Sequence, residues 1–262
     1  MEFIETHAHL DHHRLNGKRD ELLQKLPVYG IQKVIVPAIS YESNFQERQL
    51  FHGIPWIFFA PGIHPDCMPL YKEADECCYR NLCTLAALRD SVAIKTGLDY
   101  YRATDKKAQE RQQEWFHRLI HLAQDRNMPL ILHIRQANDD ALNILKEEFS
   151  GEGIVHCFCG DYTLAMKYIA LGFCLGIGGA VTRPDMTELR HAVRRIPEEY
   201  NIVLETDSPF VMPEGCSGKT NTPLNLPIIA QAIADIRGIS VQQAANFTMR
   251  NAERIFWNNL VV

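Results

Sequence analysis

The sequence predicts an α/β fold of the (β/α)8, or TIM-type, barrel class, with a metal site at the carboxyl ends of its strands. Short apolar runs recur along the 262 residues, and longer segments with helical periodicity separate them. Histidines and carboxylates that are able to bind a metal follow several of these runs directly. A barrel of this class commonly takes roughly 250 residues and collects its chemistry at the carboxyl ends of the strands. These observations favour a barrel over an open, doubly wound sheet.

The candidate strands are apolar at consecutive positions rather than at alternate ones. This pattern is expected of parallel strands that are covered on both faces, and the segments between them are long enough for crossover helices. The predicted strands are residues 3–9, 33–39, 56–63, 91–98, 130–134, 154–158, 173–177 and 202–206.

The intervening segments carry apolar residues at the spacing of amphipathic helices. In residues 107–125, Trp115, Leu119 and Leu122 recur with charged residues between them, and Asn127-Met128-Pro129 ends the segment. The other predicted helices are residues 139–149, 163–171, 186–196, 223–238 and 241–256.

Composition and charge exclude several classes of protein. A hydrophobic content of 46% and a charged content of 23% are ordinary for a globular protein and unlike those of a disordered chain or a coiled coil. No linker-like or low-complexity stretch divides the chain, which predicts a single domain over residues 1–262. The formal net charge of −5 does not attract polyanions, so local groups and metal ions would have to hold a nucleic-acid substrate.

The N-terminus and the cysteines indicate a reducing compartment. The chain begins Met1-Glu2-Phe3, with neither a basic leader nor a long apolar segment, which predicts a cytoplasmic protein without a membrane partner. The eight cysteines are therefore expected to be reduced thiols. They lack the paired CxxC spacing of a structural zinc site.

Five side chains that are able to bind a metal lie at or directly after the ends of four predicted strands. His7 and His9 end the first strand, His133 the fifth, His156 the sixth and Asp207 the eighth. Because residues two apart in a strand point to the same side, His7 and His9 are able to reach one ion. Nitrogen and oxygen donors of this kind suit zinc, manganese, nickel or a similar ion, which activates water and polarises a phosphoryl or carbonyl oxygen. We therefore predict a hydrolytic site in which Asp207 binds the ion, accepts a proton from water, or does both.

Each of these residues also has an ordinary structural explanation. A lone histidine at a strand end is more often a hydrogen-bonded core or surface residue, and a His-x-His pair is a weak motif by itself. The prediction depends on the joint occurrence of these groups at equivalent positions of successive β-α units.

Several segments resemble motifs of the TatD family of metal-dependent hydrolases, in the same order and over essentially the whole chain. The opening segment Glu5-Thr6-His7-Ala8-His9-Leu10-Asp11 resembles the family motif D-[ST]-H-x-H-[LF]-D. The other matching segments are Gly62-Ile63-His64-Pro65, Thr96-Gly97-Leu98-Asp99-Tyr100, Leu132-His133-Ile134-Arg135, Ile154-Val155-His156-Cys157-Phe158 and Leu204-Glu205-Thr206-Asp207-Ser208-Pro209.

The resemblance implies an activity, a cofactor and a set of site residues. It implies a deoxyribonuclease of the amidohydrolase-like superfamily, a phosphodiesterase with 3′–5′ exonuclease-like activity on DNA. Its cofactor would be zinc, manganese, magnesium or nickel, with one or two ions per chain. His64 would lie near the substrate and Arg135 would bind a phosphate, although either residue could instead be structural. The metal ligands would be His7, His9, His133, His156 and Asp207.

One residue departs from the family pattern. The family usually reads G-E-x-G-L-D at the end of the fourth strand, and its glutamate binds or bridges the metal ions. The aligned segment here is Ile94-Lys95-Thr96-Gly97-Leu98-Asp99, so Lys95 stands in the place of that carboxylate. Lys95 could be carboxylated by carbon dioxide and so become a metal ligand. It could remain a cation that leaves a mononuclear site or contacts a substrate phosphate, or the substitution could abolish activity.

Three functions therefore compete. The first is a phosphodiesterase of the nuclease class that uses metal-activated water. The second is an ester or amide hydrolase, because barrels of the same superfamily host both chemistries. The third is a non-catalytic protein that binds a metal or a partner, which the loss of the carboxylate at Lys95 would permit.

Overall fold

The computed structural model describes residues 1–68, 74–197 and 201–257. Within these residues, parallel strands alternate with helices, which confirms the predicted α/β barrel fold. The strands are β1 (Phe3–Glu5), β2 (Ile31–Pro37), β3 (Ile57–Ala60), β4 (Ile94–Asp99), β5 (Leu130–Arg135), β6 (Gly153–Val155), β7 (Phe173–Ile177) and β8 (Ile202–Leu204). The α-helices are α1 (Arg19–Lys25), α2 (Ser43–Leu50), α3 (Asp75–Ala86), α4 (Lys106–Asp125), α5 (Asn138–Glu148), α6 (Tyr162–Ala170), α7 (Thr187–Arg195), α8 (Leu226–Arg237) and α9 (Val241–Trp257).

The strands form two parallel sheets that meet at two seams. One sheet has the order β1-β2-β3, and the other has the order β4-β5-β6-β7-β8. Isolated backbone bridges, rather than regular ladders, connect the sheets. They join Phe59 to Ser91 and Gly62 to Lys95 at one seam, and Ala8 to Ser208 at the other. The strand order thus follows the chain order, which brings the carboxyl ends of all strands to one rim.

An apolar layer fills the interior on the side of the amino ends of the strands. Each strand, or the residue directly before it, contributes one buried side chain to this layer. These side chains are Ile4, Ile35, Ala60, Ala93, Ile131, Ile154, Cys174 and Val203. Ile255 and Phe256 of α9 pack against the same layer. Because a buried aliphatic side chain contributes roughly 1.5–3 kcal/mol, the layer forms a stable base for the polar groups at the opposite rim.

Five strands end earlier than the sequence predicts, and two buried glutamates explain the early ends of β1, β6 and β8. The predicted and observed last residues are 9 and 5 for β1, 158 and 155 for β6, and 206 and 204 for β8. The Glu5 carboxylate accepts hydrogen bonds from the backbone N–H groups of His7 at 3.0 Å and Thr206 at 2.9 Å. The Glu205 carboxylate accepts one from the N–H of Cys157 at 2.6 Å. These N–H groups bind side chains instead of a neighbouring strand, so the site residues lie on irregular backbone beyond the ladders.

The bounds of the other strands differ from the predicted ones by at most three residues at either end. β7 is observed as predicted, and β5 extends one residue further. β2 begins and ends two residues earlier than predicted, β3 is shorter at both ends, and β4 begins three residues later.

The periodic segments correspond to α4 through α9, whereas the sequence analysis missed α1, α2 and α3. Helix α1 has 7 residues, of which Leu22 is buried, and so shows no repeat of the apolar pattern. Helix α2 buries Asn44 and Glu47 and exposes Phe45 and Leu50. Its pattern is therefore the reverse of the apolar stripe by which an amphipathic helix is recognised.

No single helix in the described part of the chain is long and apolar enough to cross a membrane. The helical segments Pro223–Arg237 and Val241–Trp257, bent by 109° at their junction, meet the length and composition criterion only as a pair.

Candidate metal centre

Predicted site residues from the ends of β1, β6 and β8 converge on one carboxylate. Asp207 Oδ1 lies 3.6 Å from Nε2 of His9. It lies 3.9 Å from Nε2 of both His7 and His156. The rings of His7 and His156 stack with their centroids 3.5 Å apart, and all three histidines are buried. We call these four residues the first group; they direct three nitrogen donors and one oxygen donor toward the same space.

Residues within three positions of the ends of three strands adopt left-handed backbone conformations. The φ angle is 54° at Asp207, 51° at Cys157 and 55° at Gln136. Such a conformation costs on the order of 1–3 kcal/mol for a residue other than glycine. At Asp207 the surroundings fix it, because the N–H donates to the carbonyl of His7 at 2.9 Å and the C=O accepts from the N–H of Phe210 at 2.8 Å. The backbone thus turns sharply where β5, β6 and β8 reach the rim.

Hydrogen bonds orient two of the three imidazoles. His9 Nδ1 lies 3.1 Å from the carbonyl oxygen of Pro37, and His156 Nδ1 lies 3.1 Å from Glu205 Oε1. An imidazole whose Nδ1 is engaged by an oxygen presents Nε2 to an ion. His7 differs, because neither of its ring nitrogens has a hydrogen-bond partner among the described residues. Buried polar groups are rarely left unpaired, so a cation next to His7 fits the donors that surround it.

A second group of donors lies beside the first. His133 Nε2 lies 3.2 Å from Asp99 Oδ2, and the rings of His133 and His64 are 4.2 Å apart. Donor atoms of His64, Asp99 and His133 all lie within 4.8 Å of one another, and we call these residues the second group. The His133 ring is 5.8 Å from that of His156, so the two groups are adjacent. The structure therefore places His133 nearer to Asp99 than to Asp207.

The sequence analysis assigned no role to Asp99 or Glu205, although it quoted the segments that contain them. Glu205 is fully buried, and its Oε2 has no hydrogen-bond partner in the described structure. A Cβ atom at Gly176 would lie 2.2 Å from this oxygen, so the approach of Glu205 requires a glycine there. Asp99 ends β4, and Glu205 directly follows β8. The rule that singled out His133 and Asp207, a polar residue at a strand end, would have found both.

Burial keeps the histidines of the first group neutral. It lowers the pKa of His9 to about 3 and shifts the pKa values of His7 and His156 well below their ordinary range. The neutral imidazole is the form that binds a metal ion. Burial acts in the opposite direction on Asp207 and raises its pKa to about 7, against the effect of the positive charge of Lys95. Asp207 is therefore able to gain or lose a proton near neutral pH.

Lys95 projects from β4 into the same interior. Its side chain is among the largest fully buried ones, and its Nζ has no hydrogen-bond partner among the described residues. Burial lowers the pKa of Lys95 to about 8, while the negative charges of Asp207 and Glu205 oppose this shift. Lys95 thus lies in the interior on which the sequence-based site residues converge.

The two predicted substrate-binding residues differ in exposure: Arg135 is exposed, whereas His64 is partly buried. The Arg135 guanidinium lies 3.8 Å above the centre of the Tyr101 ring, and the residue is exposed. His64 Nδ1 accepts a hydrogen bond from the N–H of Asp66 at 3.2 Å, and burial lowers the pKa of His64 to about 2. Arg135 thus places a positive charge at the rim, next to the second group.

Comparison with known proteins identifies relatives that match this chain over almost its whole length. The chain matches the family model described as TatD related DNase over residues 4–257. It is 31% identical to the uncharacterized metal-dependent hydrolase YabD of Bacillus subtilis, over 97% of this chain and 98% of that protein. It is 32% identical to the uncharacterized metal-dependent hydrolase YcfH of Escherichia coli, over 98% of this chain and 96% of that protein.

A solved structure extends the comparison to the fold. The crystal structure of YjjV, a TatD homologue from Escherichia coli, superposes with a TM-score of 0.87 at 26% identity and covers 97% of each chain. The donor groups at the rim, the matching family model and these relatives lead to one conclusion: the chain belongs to the TatD family of metal-dependent hydrolases.

Proposed function

We propose that this chain is a divalent-metal-dependent phosphodiesterase that acts on DNA as a 3′–5′ exonuclease-like deoxyribonuclease. The observation that carries the proposal is the approach of Asp207 Oδ1 to three neutral imidazoles within 3.9 Å, with the Arg135 guanidinium at the adjoining rim. The first feature suits metal-assisted hydrolysis, and the second suits an anionic substrate.

The proposed metal ligands come from both groups. His7, His9, His156 and Asp207 would hold one ion, and His133 would contribute from the second group. A bound zinc, manganese, magnesium or nickel ion supplies positive charge that polarises a phosphoryl oxygen and makes water more acidic. The second-group carboxylate of Asp99 lies in contact with His133 and would orient its ring.

Asp207 is the proposed catalytic residue. Burial raises the pKa of its carboxyl group to about 7 in the metal-free protein, and a bound divalent cation would lower this pKa and favour the carboxylate form. The carboxylate would accept a proton from the attacking water on one oxygen and later release it to solvent.

Arg135 and His64 are the proposed substrate-binding residues. Because the chain has a net charge of −5, attraction of DNA has to come from local groups such as the Arg135 guanidinium. Arginine binds phosphate oxygens through paired N–H groups. The neutral His64 would donate or accept a hydrogen bond without adding charge. We propose that the chain does this work as one domain in the cytoplasm, with DNA and no membrane as its partner.

Hydrolysis assays with alternative substrates test the proposal. The metal-free protein would be supplied in turn with manganese, magnesium, zinc or nickel and given end-labelled single-stranded DNA, a chromogenic phosphodiester, a carboxylic ester or an amide. We expect cleavage of both phosphodiesters and removal of nucleotides from the 3′ end. Cleavage of the ester or amide alone would make the chain a hydrolase of another class, and metal binding without any hydrolysis would refute an enzymatic role.

A further inference from the structure

A cluster of aromatic and basic side chains lies beside the first group, where β1 and β8 end. Phe210 follows β8, and the centre of its ring is 6.1 Å from that of His9 and 5.2 Å from that of His12. The rings of His12 and His13 are 4.2 Å apart, and the guanidinium carbon of Arg14 lies 5.5 Å from the centre of the Phe210 ring. We call Phe210, His12, His13 and Arg14 the aromatic cluster. Because Phe210 lies next to His9, the cluster adjoins the proposed metal centre.

The backbone that carries the aromatic cluster is held in place by contacts within the protein. The Arg19 guanidinium donates a hydrogen bond to the carbonyl oxygen of Leu10 at 2.7 Å, and Leu15 in the same loop is fully buried. The N–H of Phe210 donates to the carbonyl oxygen of Asp207 at 2.8 Å. A site whose parts are fixed before a ligand arrives loses less conformational entropy on binding. The cluster is therefore a preformed surface.

The guanidinium group of Arg14 is available to a ligand. Within the described residues no hydrogen bond or ion pair engages it, and Arg14 is exposed. Arg102, at the same rim, is instead paired with Asp66 at 3.4 Å. Arg135 resembles Arg14, because its guanidinium group is also exposed and lies over an aromatic ring, that of Tyr101. Arg14 and Arg135 are thus both able to contact a substrate.

These two arginines lie on opposite sides of the barrel mouth. The strand order follows the chain order, so the seam between β8 and β1 lies across the barrel from β4 and β5. The aromatic cluster follows β1 and β8, whereas Tyr101 and Arg135 lie at the ends of β4 and β5. A substrate whose reacting phosphate lies at the metal centre therefore extends toward Arg135 on one side and toward the aromatic cluster on the other.

The aromatic cluster suits a nucleobase better than a phosphate group. A phosphate needs only the N–H groups of a guanidinium. A nucleobase is flat, and it stacks on aromatic rings and on the guanidinium plane of an arginine. Arg135 has the single ring of Tyr101 beside it, whereas the cluster that contains Arg14 has three rings. The two sides of the mouth thus offer different surfaces.

We propose that Arg14, Phe210 and His12 form a subsite that stacks the base of a nucleoside next to the scissile phosphate. The inference rests on the proposed deoxyribonuclease function and adds to it a base-binding subsite opposite Arg135. Arg135 binds a backbone phosphate on one side of the reacting bond, and the aromatic cluster binds a base on the other side. The subsite therefore selects phosphodiesters that carry a base on that side over phosphodiesters that carry a sugar alone.

Binding of oligonucleotides that lack one base tests the proposal. Zinc-loaded protein would be titrated into short oligothymidylates that carry a 5′ fluorophore and hydrolysis-resistant phosphorothioate linkages, and fluorescence anisotropy would give each Kd. One probe is intact, the second is abasic at its 3′-terminal nucleotide, and the third is abasic at the nucleotide before it.

Two variants remove the stacking surface without removing its bulk. Arg14→Lys keeps the charge but loses the planar guanidinium, and Phe210→Leu keeps an apolar side chain but loses the ring. Lys18→Ala, which removes an exposed positive charge at the start of α1, is the matched control. Elemental analysis and thermal unfolding verify that each variant retains its metal and its fold.

We expect Arg14→Lys and Phe210→Leu each to weaken binding of the intact probe by about tenfold, the scale of one base-stacking contact. One of the abasic probes should bind the wild-type protein more weakly by a similar factor, and neither substitution should weaken that probe further. Lys18→Ala should leave every Kd unchanged.

Three results would overturn the subsite while the proposed function stands. They are an Arg14→Lys variant that binds like the wild type, a wild-type protein that binds all three probes equally, and losses in the variants that persist with both abasic probes. A wild-type protein that binds none of the probes would contradict the proposed function, and the subsite with it.

Discussion

The two donor groups differ in how many of their polar atoms already have hydrogen-bond partners within the protein. In the first group, His7 has no hydrogen-bond partner among the described residues, and Asp207 Oδ1 approaches the imidazoles only to 3.6–3.9 Å. In the second group, His133 and Asp99 are already in contact at 3.2 Å. An ion that enters the first group displaces no internal hydrogen bond, whereas an ion that binds His133 through Nε2 must displace its contact with Asp99. We therefore expect the first group to bind its ion more tightly.

Removing two proposed ligands of the first group should have the largest effect. The double substitution His7→Ala and His9→Ala should strip the tightly bound ion and lower hydrolysis by about 1000-fold or more, because an ion contributes several kcal/mol to the transition state. Elemental analysis and rate measurements check this. The exposed His191 on α7 gives a control, and His191→Ala should leave both quantities unchanged. Undiminished metal in the double variant would remove the end of β1 from the site.

The next effect concerns the proton acceptor of the first group. Asp207→Asn keeps the shape of the side chain but removes its basic oxygen, so we expect a loss on the order of 100-fold in kcat. Asp185→Asn, at an exposed position after β7, is the matched control. Full activity of Asp207→Asn would show that water loses its proton without help from this carboxylate.

A smaller effect is expected at the second group. Asp99→Asn should weaken binding of the less tightly held ion by about tenfold, the scale on which residues that orient metal ligands act. Metal titration followed by calorimetry measures this, and the tightly bound ion should be unaffected. A loss of both ions from Asp99→Asn would show that the two groups act as one.

The same variant has a predicted pH dependence in the metal-free protein. Burial raises the pKa of the Asp99 carboxyl group, but the hydrogen bond and charge of His133, the N–H of Arg102 and the charge of Arg135 together outweigh it, and the pKa lies below its ordinary value. A carboxylate with a depressed pKa stabilises the fold above its ordinary pKa, and this contribution is lost as the pH falls through the depressed value. Wild-type protein should therefore lose more stability than Asp99→Asn in acid, as chemical unfolding at a series of pH values would measure. Parallel curves for the two proteins would contradict the assignment of this hydrogen bond.

The smallest effect is expected at the rim. Arg135→Lys keeps the charge but loses the planar pair of N–H donors, so the KM for DNA should rise by about fivefold with little change in kcat. Arg89→Lys, an exposed position just before β4 at the opposite end of the barrel, should leave KM unchanged. A fall in kcat alone would instead place Arg135 in contact with the reacting phosphate.

The sequence predicted those parts of the fold that depend on apolar patterning. Buried parallel strands such as β7 and long helices such as α4 repeat their patterns often enough to be recognised. Helix α2 was missed because it buries Asn44 and Glu47. The early ends of β1 and β8 were missed because the Glu5 carboxylate accepts N–H groups from both segments, a long-range contact that no local pattern contains.

The candidate metal centre likewise has features that follow from the sequence pattern and features that depend on long-range contacts. The strand-end positions of His7, His9, His156 and Asp207 follow from parallel topology, because such strands direct their carboxyl ends to one rim. The division into two groups does not follow, since it depends on the 3.2 Å contact between His133 and Asp99 across β4 and β5.

Gly176 shows that part of this centre depends on a position that contributes no donor atom. A methyl group there would overlap Glu205 Oε2 at 2.2 Å, while Glu205 Oε1 is held by Cys157 and His156. Glu205 therefore cannot move away from position 176 without losing the contact between its Oε1 and Nδ1 of His156. The absence of a Cβ atom at Gly176 therefore affects the orientation of His156, a proposed metal ligand. A relative that keeps every histidine and carboxylate but carries alanine at this position would be expected to bind metal in an altered geometry, although an inventory of its ligands would look complete.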